Sequence, residues 1–153
     1  MTIRRSLLAA IITLASATTF AQQPAPAANA IAQAPQPWIY KTKQLNRTEI
    51  DKLLTNPAQV IVIDVRRPNE LISKGGFPAY LSIQIKELEN NLAYIPKDRE
   101  IITVSNRAHR AGAAGDLLTS KGYKVAGAAG SLDYEDQGGK AIWISAQQPK
   151  AGQ

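Results

Sequence analysis

IITVSNRAHRAGAAGDLLTSK, Ile101 to Lys121, reads as a strand, a polar loop and a helix in direct succession. Ile101, Ile102, Thr103 and Val104 are a β-branched run of the kind that lies inside a parallel sheet with both faces covered. Ser105 to Arg110 is a six-residue polar loop. From Ala111 onward, Ala111, Ala114, Leu117 and Leu118 recur at helical spacing, and Gly122 supplies a stop. This order aims the loop's N–H groups and the helix's positive end into one small space, which favours anions. Ser105 stands at the strand's end, where a nucleophile would be placed.

Outward from this stretch, composition narrows the chemistry. The 153 residues contain no cysteine, so disulfides, zinc-thiolate sites and thiol catalysis are excluded. With His109 as the single histidine, no metal site and no cofactor is expected. The formal charge is +6, falling to +4 once Arg4 and Arg5 are set aside with a leader. The basic residues are dispersed and aromatics are only 6%, which argues against nucleic-acid binding.

Arg4 and Arg5 precede an apolar run from Leu7 to Phe20, and Thr19-Phe20-Ala21 places small residues where signal peptidase reads. Residues 1–21 are therefore expected to be a cleaved signal peptide, cut after Ala21, with a periplasmic or secreted product. The run is too short for the roughly twenty residues of a membrane span, so no stable anchor is expected. Residues 22–37, rich in Ala, Pro and Gln, read as a linker, 38–145 as one folded domain, and 146–153 as a flexible tail.

Within the domain, Ile39-Tyr40-Lys41 is predicted as a first strand, and Asn46 to Glu49 as a capping box opening a helix through Leu54. Val60 to Val65 carries the strongest strand signal, with Asp64 near its end. Arg66 to Glu70 turns into a short helix that stops at Gly75-Gly76. Leu81 to Gln84 is predicted as a strand, Lys86 to Leu92 as a helix and Tyr123 to Ala126 as the last sheet strand. Gly127 to Gly139 reads as a connection with a helical turn near Leu132-Asp133-Tyr134, and Ala141 to Ile144 as a closing strand or a core-packing segment. Alternating strands and helices predict an α/β/α sandwich with a mainly parallel sheet, its ligand crevice beyond the strand ends at Asp64 and Ser105.

Asp64-Val65-Arg66 with Pro68 and Glu70, Gly76-Phe77-Pro78-Ala79, the strand-loop-helix at Ile101 to Leu118, Gly122-Tyr123 and Gly130-Ser131-Leu132 together resemble a rhodanese-like domain, the fold of the thiosulfate sulfurtransferases. The similarity spans Trp38 to Ile144, and its layout resembles the small single-domain periplasmic members. It implies a three-layer α/β/α sandwich and an active-site loop at Ser105, Asn106, Arg107, Ala108, His109 and Arg110, of sulfurtransferase length. In that family the loop opens with a cysteine that carries sulfane sulfur as a persulfide; here the position is Ser105. Ala108 stands where the family often has glycine, and Gly76 where it often has histidine.

A serine oxygen cannot carry transferable sulfane sulfur, so the expected product is a sulfurtransferase homologue without that activity. Its former active-site loop would hold a small oxyanion such as thiosulfate or sulfate, or a protein partner. A sulfurtransferase-family enzyme with residual or changed activity, such as hydrolysis by Ser105 activated by His109, and a purely structural interaction module, are the alternatives. Arg110 is expected to contact an anion and Arg107 to be solvated. Asp64, Arg66 and Glu70 are read as structural support, with an Arg66–Glu70 pair bracing the turn. Gly112 and Gly115 are read as allowing close helix-to-sheet packing, and Trp38, Tyr123 and Trp143 as core or rim aromatics.

Overall fold

Four parallel strands in the order β2-β1-β3-β4 form the centre of the domain, in a computed structural model that describes residues 36–78 and 80–143. The expected signal peptide, nearly all of the linker, Ile144 and the tail lie outside the described residues. The chain divides into two units, Met1–Gln36 and Pro37–Gln153, and every element below belongs to the second.

Helix α1, Arg47–Leu54, opens on the predicted capping box: Asn46 Oδ1 accepts the Glu49 N–H at 3.0 Å, and Glu49 Oε2 accepts the Asn46 N–H at 3.0 Å. Strand β1, Val60–Asp64, leads through Arg66 into α2, Pro68–Lys74, which ends at Gly75. Then follow β2, Tyr80–Ser82, two 3₁₀ turns over Ile85–Glu87 and Glu89–Tyr94, β3, Glu100–Ser105, α3, His109–Ser120, β4, Val125–Gly130, and α4, Ser131–Asp136.

Side chains alternate across the sheet and divide the core into two layers. Val60, Val62, Ile102 and Val104 pack on one face with Leu45, Ile50 of α1 and Phe77, while Tyr134 of α4 packs against them. On the other face Ile63, Val65 and Ile101 meet Ala114 and Leu118 of α3, with Leu88 and Ile95 from the 3₁₀ region. The α/β/α sandwich with a parallel sheet is the architecture read from the sequence.

Several boundaries differ from expectation for identifiable reasons. Ile39-Tyr40-Lys41 is not a strand, because its backbone is held by a helix side chain: Asp116 of α3 accepts the N–H groups of Lys41 and Thr42 and the Thr42 hydroxyl, at 3.1, 2.7 and 2.8 Å. Pairing begins three residues later, where Gln44 bridges Ala128 in parallel. The Lys86–Leu92 region winds as 3₁₀ turns rather than an α-helix. The last strand runs on to Gly130, five residues beyond Val125, through an Ala/Gly run with none of the β-branched residues that signal a strand.

Gly127 in this strand is required by a close approach. A Cβ there would lie 2.6 Å from Leu45 Cγ and 2.8 Å from the Lys43 carbonyl. Without it, the Lys43–Leu45 segment lies along the outer side of β4, with Ala128 N–H donating to Lys43 O at 2.8 Å and Leu45 N–H to Ala128 O at 2.9 Å. Gly112 and Gly115 likewise admit the N-terminal segment rather than the sheet: Cβ atoms there would meet Tyr40, Trp38 and Thr42 within 2.4–2.7 Å. The predicted closing strand contracts to an antiparallel bridge between Gly76 and Ile142, and Trp143 is 68% exposed rather than a core residue.

Candidate functional site

β1 and β3 are adjacent and in register, Asp64 opposite Val104, so Asp64 and Ser105 come to the same end of the sheet. The loop after β3 leads straight into α3, whose first helical residues are His109 and Arg110. Gly130, paired with Ser105, ends β4 beneath the loop, and Ser131 opens α4 beside it.

At the centre lies Arg66, with no exposed surface. Its Nε and Nη2 donate to Asp64 at 2.9 and 2.7 Å, and Nη2 also donates to the Gly75 carbonyl at 2.8 Å. Nη1 reaches Ser131 Oγ at 3.0 Å and Asn106 Oδ1 at 3.2 Å. One guanidinium thus ties the end of β1, the end of α2, the loop and the start of α4. The expected Arg66–Glu70 brace is replaced by Arg66–Asp64, because the turn returns the Arg66 side chain toward the strand it leaves. Asp64 also accepts the Arg66 N–H at 3.0 Å.

Glu70 serves the loop instead. Arg110 donates to both of its oxygens, at 2.9 and 2.7 Å, in a bidentate pair. Asn106 Nδ2 donates to Oε1 at 2.8 Å, and the N–H and Nε of Arg67 both donate to Oε2 at 3.1 Å. The Glu70 side chain is only 13% exposed. Hydrogen bonds from Arg110, opposed by burial and reinforced by Arg67, hold its carboxyl down at about 2 from the ordinary 4.5. The folded pKa lies below the unfolded one, so this pairing stabilises the fold above the unfolded pKa and is lost as pH falls through the folded one. Acid titration followed by circular dichroism is expected to show stability declining between pH 4.5 and about 2, with a shallower decline in Glu70→Gln.

The loop residues face different ways. Ser105 is buried, and its Oγ accepts the Ala111 N–H at 3.2 Å. Arg107 turns outward onto α4, where it pairs with Asp133 at 2.8 Å and with Asp136. Ala108 is buried at φ 59°, the left-handed conformation that glycine adopts more readily. The His109 ring lies 5.7 Å from Trp38 and 5.9 Å from Tyr40, in an aromatic group on the N-terminal segment. No Ser105–His109 hydrogen bond is present among the described residues. The His109 N–H donates to the Arg107 carbonyl at 2.8 Å, while those of Asn106, Arg107, Ala108 and Arg110 find no acceptor among the described residues.

Sequence reasoning names the loop and its three supporting residues as the site, but assigns no part in it to Ser131, the Gly75 carbonyl, Asp133, Asp136 or the Trp38–Tyr40 pair. Ser131 stands in the Gly130-Ser131-Leu132 segment and Gly75 at a helix stop, while Asp133 and Asp136 are two carboxylates three residues apart on a short helical stretch. Among the described residues no group of three or more His, Asp or Glu side chains is placed to hold a metal, and no helix is long and apolar enough to cross a membrane.

A parallel α/β domain whose loop at a strand's C-terminal end runs into a helix is the class these observations define. Solved structures make it specific. A rhodanese-related protein from Thermoplasma volcanium is 25% identical, with a TM-score of 0.55 over 67% of this chain and 99% of that one. A rhodanese-like domain protein from Staphylococcus aureus is 21% identical, with a TM-score of 0.55 over 65% and 98%. Reduced Bacillus anthracis CoADR-RHD is 30% identical, with a TM-score of 0.53 over 61% of this chain, which spans only 16% of that protein's length. No protein-family model and no curated protein matches the sequence. The domain has the rhodanese-like fold.

Proposed function

We propose that this chain is an exported rhodanese-like binding domain without sulfurtransferase activity, holding a small oxyanion at the Ser105–Arg110 loop. The observation that carries the reading is the position of Ser105, a buried hydroxyl at the end of β3, in a chain with no cysteine. Sulfur relay needs an atom that can form and surrender a persulfide; a hydroxyl does neither. The N–H groups of Asn106, Arg107, Ala108 and Arg110 at the head of α3 supply donors for an anion. Export follows from the leader-like run behind Arg4 and Arg5. Serine-based hydrolysis gains no support, because Ser105 is engaged with the helix backbone and His109 with aromatic rings.

Two measurements on the full chain test the reading. Thiocyanate formation from thiosulfate and cyanide is expected to remain at background. Titration with nitrate, formate, sulfate and thiosulfate, followed by amide chemical shifts, is expected to move the signals of residues 105–111. Turnover by the unmodified chain would overturn the first half, and unmoved loop amides with every anion the second.

A further inference from the structure

The arginines around the loop are already occupied. Arg66 is spent on Asp64, Gly75, Asn106 and Ser131, and Arg107 on Asp133 and Asp136. Arg110, the cation at the helix entrance, has both arms of its guanidinium on Glu70. Glu70 in turn receives five hydrogen bonds, from Arg110, Asn106 and Arg67, which fills the acceptor capacity of a carboxylate. It is held from three directions in a largely buried position and does not swing aside at small cost. Four carboxylates and four guanidiniums are set against one another here: Asp64 on Arg66, Glu70 on both Arg67 and Arg110, and Asp133 with Asp136 on Arg107. What remains on the loop itself for a ligand is backbone N–H groups and the end of α3, worth a fraction of a charge.

We infer that Glu70 is the charge filter of this loop: by taking both arms of Arg110, it makes the site favour singly charged oxyanions over doubly charged ones. The inference rests on the reading of the loop as an oxyanion site and adds the class of anion. A singly charged ligand is served by the free N–H donors alone. A doubly charged one gains more from a compensating cation, and Arg110, the cation at the helix entrance, is paired with a carboxylate that repels the same ligand. Removing the Glu70 charge while keeping its shape would release Arg110 toward the loop and remove that repulsion together.

Amide-shift titrations at constant ionic strength, with nitrate and formate against sulfate and thiosulfate, read this directly. The unmodified chain is expected to bind the singly charged pair more tightly. In Glu70→Gln, sulfate and thiosulfate are expected to gain about tenfold or more, with nitrate and formate changing by less than about threefold. Glu70→Asp, which keeps the charge, is expected to keep the original order. Sulfate binding the unmodified chain at least as tightly as nitrate would overturn the filter even if Glu70→Gln failed to fold. Binding of all four anions with no change of order in a folded Glu70→Gln would overturn it while leaving the oxyanion site standing. Binding of none by either protein would overturn both.

Discussion

Ser105→Cys is expected to turn the chain into a sulfurtransferase, raising thiocyanate formation from thiosulfate and cyanide by about 10³-fold or more over the unmodified protein. The new thiol would stand at the end of β3 with an N–H of α3 directed at it, as Ala111 N–H is directed at Ser105 Oγ now. A thiol of ordinary pKa near 8.5 is shifted toward thiolate by such a helix end. The thiolate attacks the outer sulfur of thiosulfate, the sulfur–sulfur bond breaks, and sulfite leaves with its electron pair. Cyanide then takes the persulfide's outer sulfur as thiocyanate and returns the thiolate. The first step needs the thiolate as nucleophile, and it is closed to a hydroxyl that is almost wholly protonated at neutral pH. Because thiosulfate is doubly charged, Glu70 should make its KM high, and Ser105→Cys combined with Glu70→Gln should lower it. A folded Ser105→Cys protein with no activity would mean that the loop around Ala108 does not admit the donor.

The second large effect is on stability. Arg66→Met is expected to cost about 3–5 kcal/mol, read as a fall in the urea midpoint at unchanged slope, because it strands Asp64 as a buried charge without its guanidinium, held only by the backbone N–H of residue 66. That is a large share of the 5–15 kcal/mol that ordinarily separates folded from unfolded domains. Adding Asp64→Leu to it removes the stranded charge and should recover part of the loss. Full recovery is not expected, since the Gly75 carbonyl, Ser131 Oγ and Asn106 Oδ1 would each still lack the donor Arg66 provides. A double variant as stable as the unmodified chain would show that only the Asp64 contact matters and that the three neutral acceptors find replacements.

The parts of this fold that were legible in the sequence are those decided by local chemistry. Val60 to Asp64 and Ile101 to Ser105 announce themselves as strands because a continuous β-branched run has few other places to go. Asn46 and Glu49 fix the start of α1 within four residues of chain. Where long-range partners decide, the sequence was mute or misleading. Ile39-Tyr40-Lys41 has strand composition, yet Asp116, some seventy-five positions away, takes the N–H groups of Lys41 and Thr42 at its end. Gly127 to Gly130 has turn composition, yet extends β4 because its small residues admit Leu45 and underlie the loop.

The same division holds at the site. The loop, Asp64, Arg66 and Glu70 could be named from their order along the chain, but their pairing could not. Arg66 takes Asp64 because the turn folds its side chain back along the strand it leaves, and Arg110 takes Glu70 only because β1 and β3 lie side by side, bringing α2 against the head of α3.

Strand β4 is the outermost member of the sheet, and Lys43, Gln44 and Leu45 are laid along its free flank. Those few residues act as a selvedge: they close a fabric that would otherwise accept further threads from another molecule. The folded domain therefore begins, in practical terms, well ahead of its first helix. Trimming the chain back to Asn46 would leave the loop's own residues intact while giving the protein an open border along which copies could knit together.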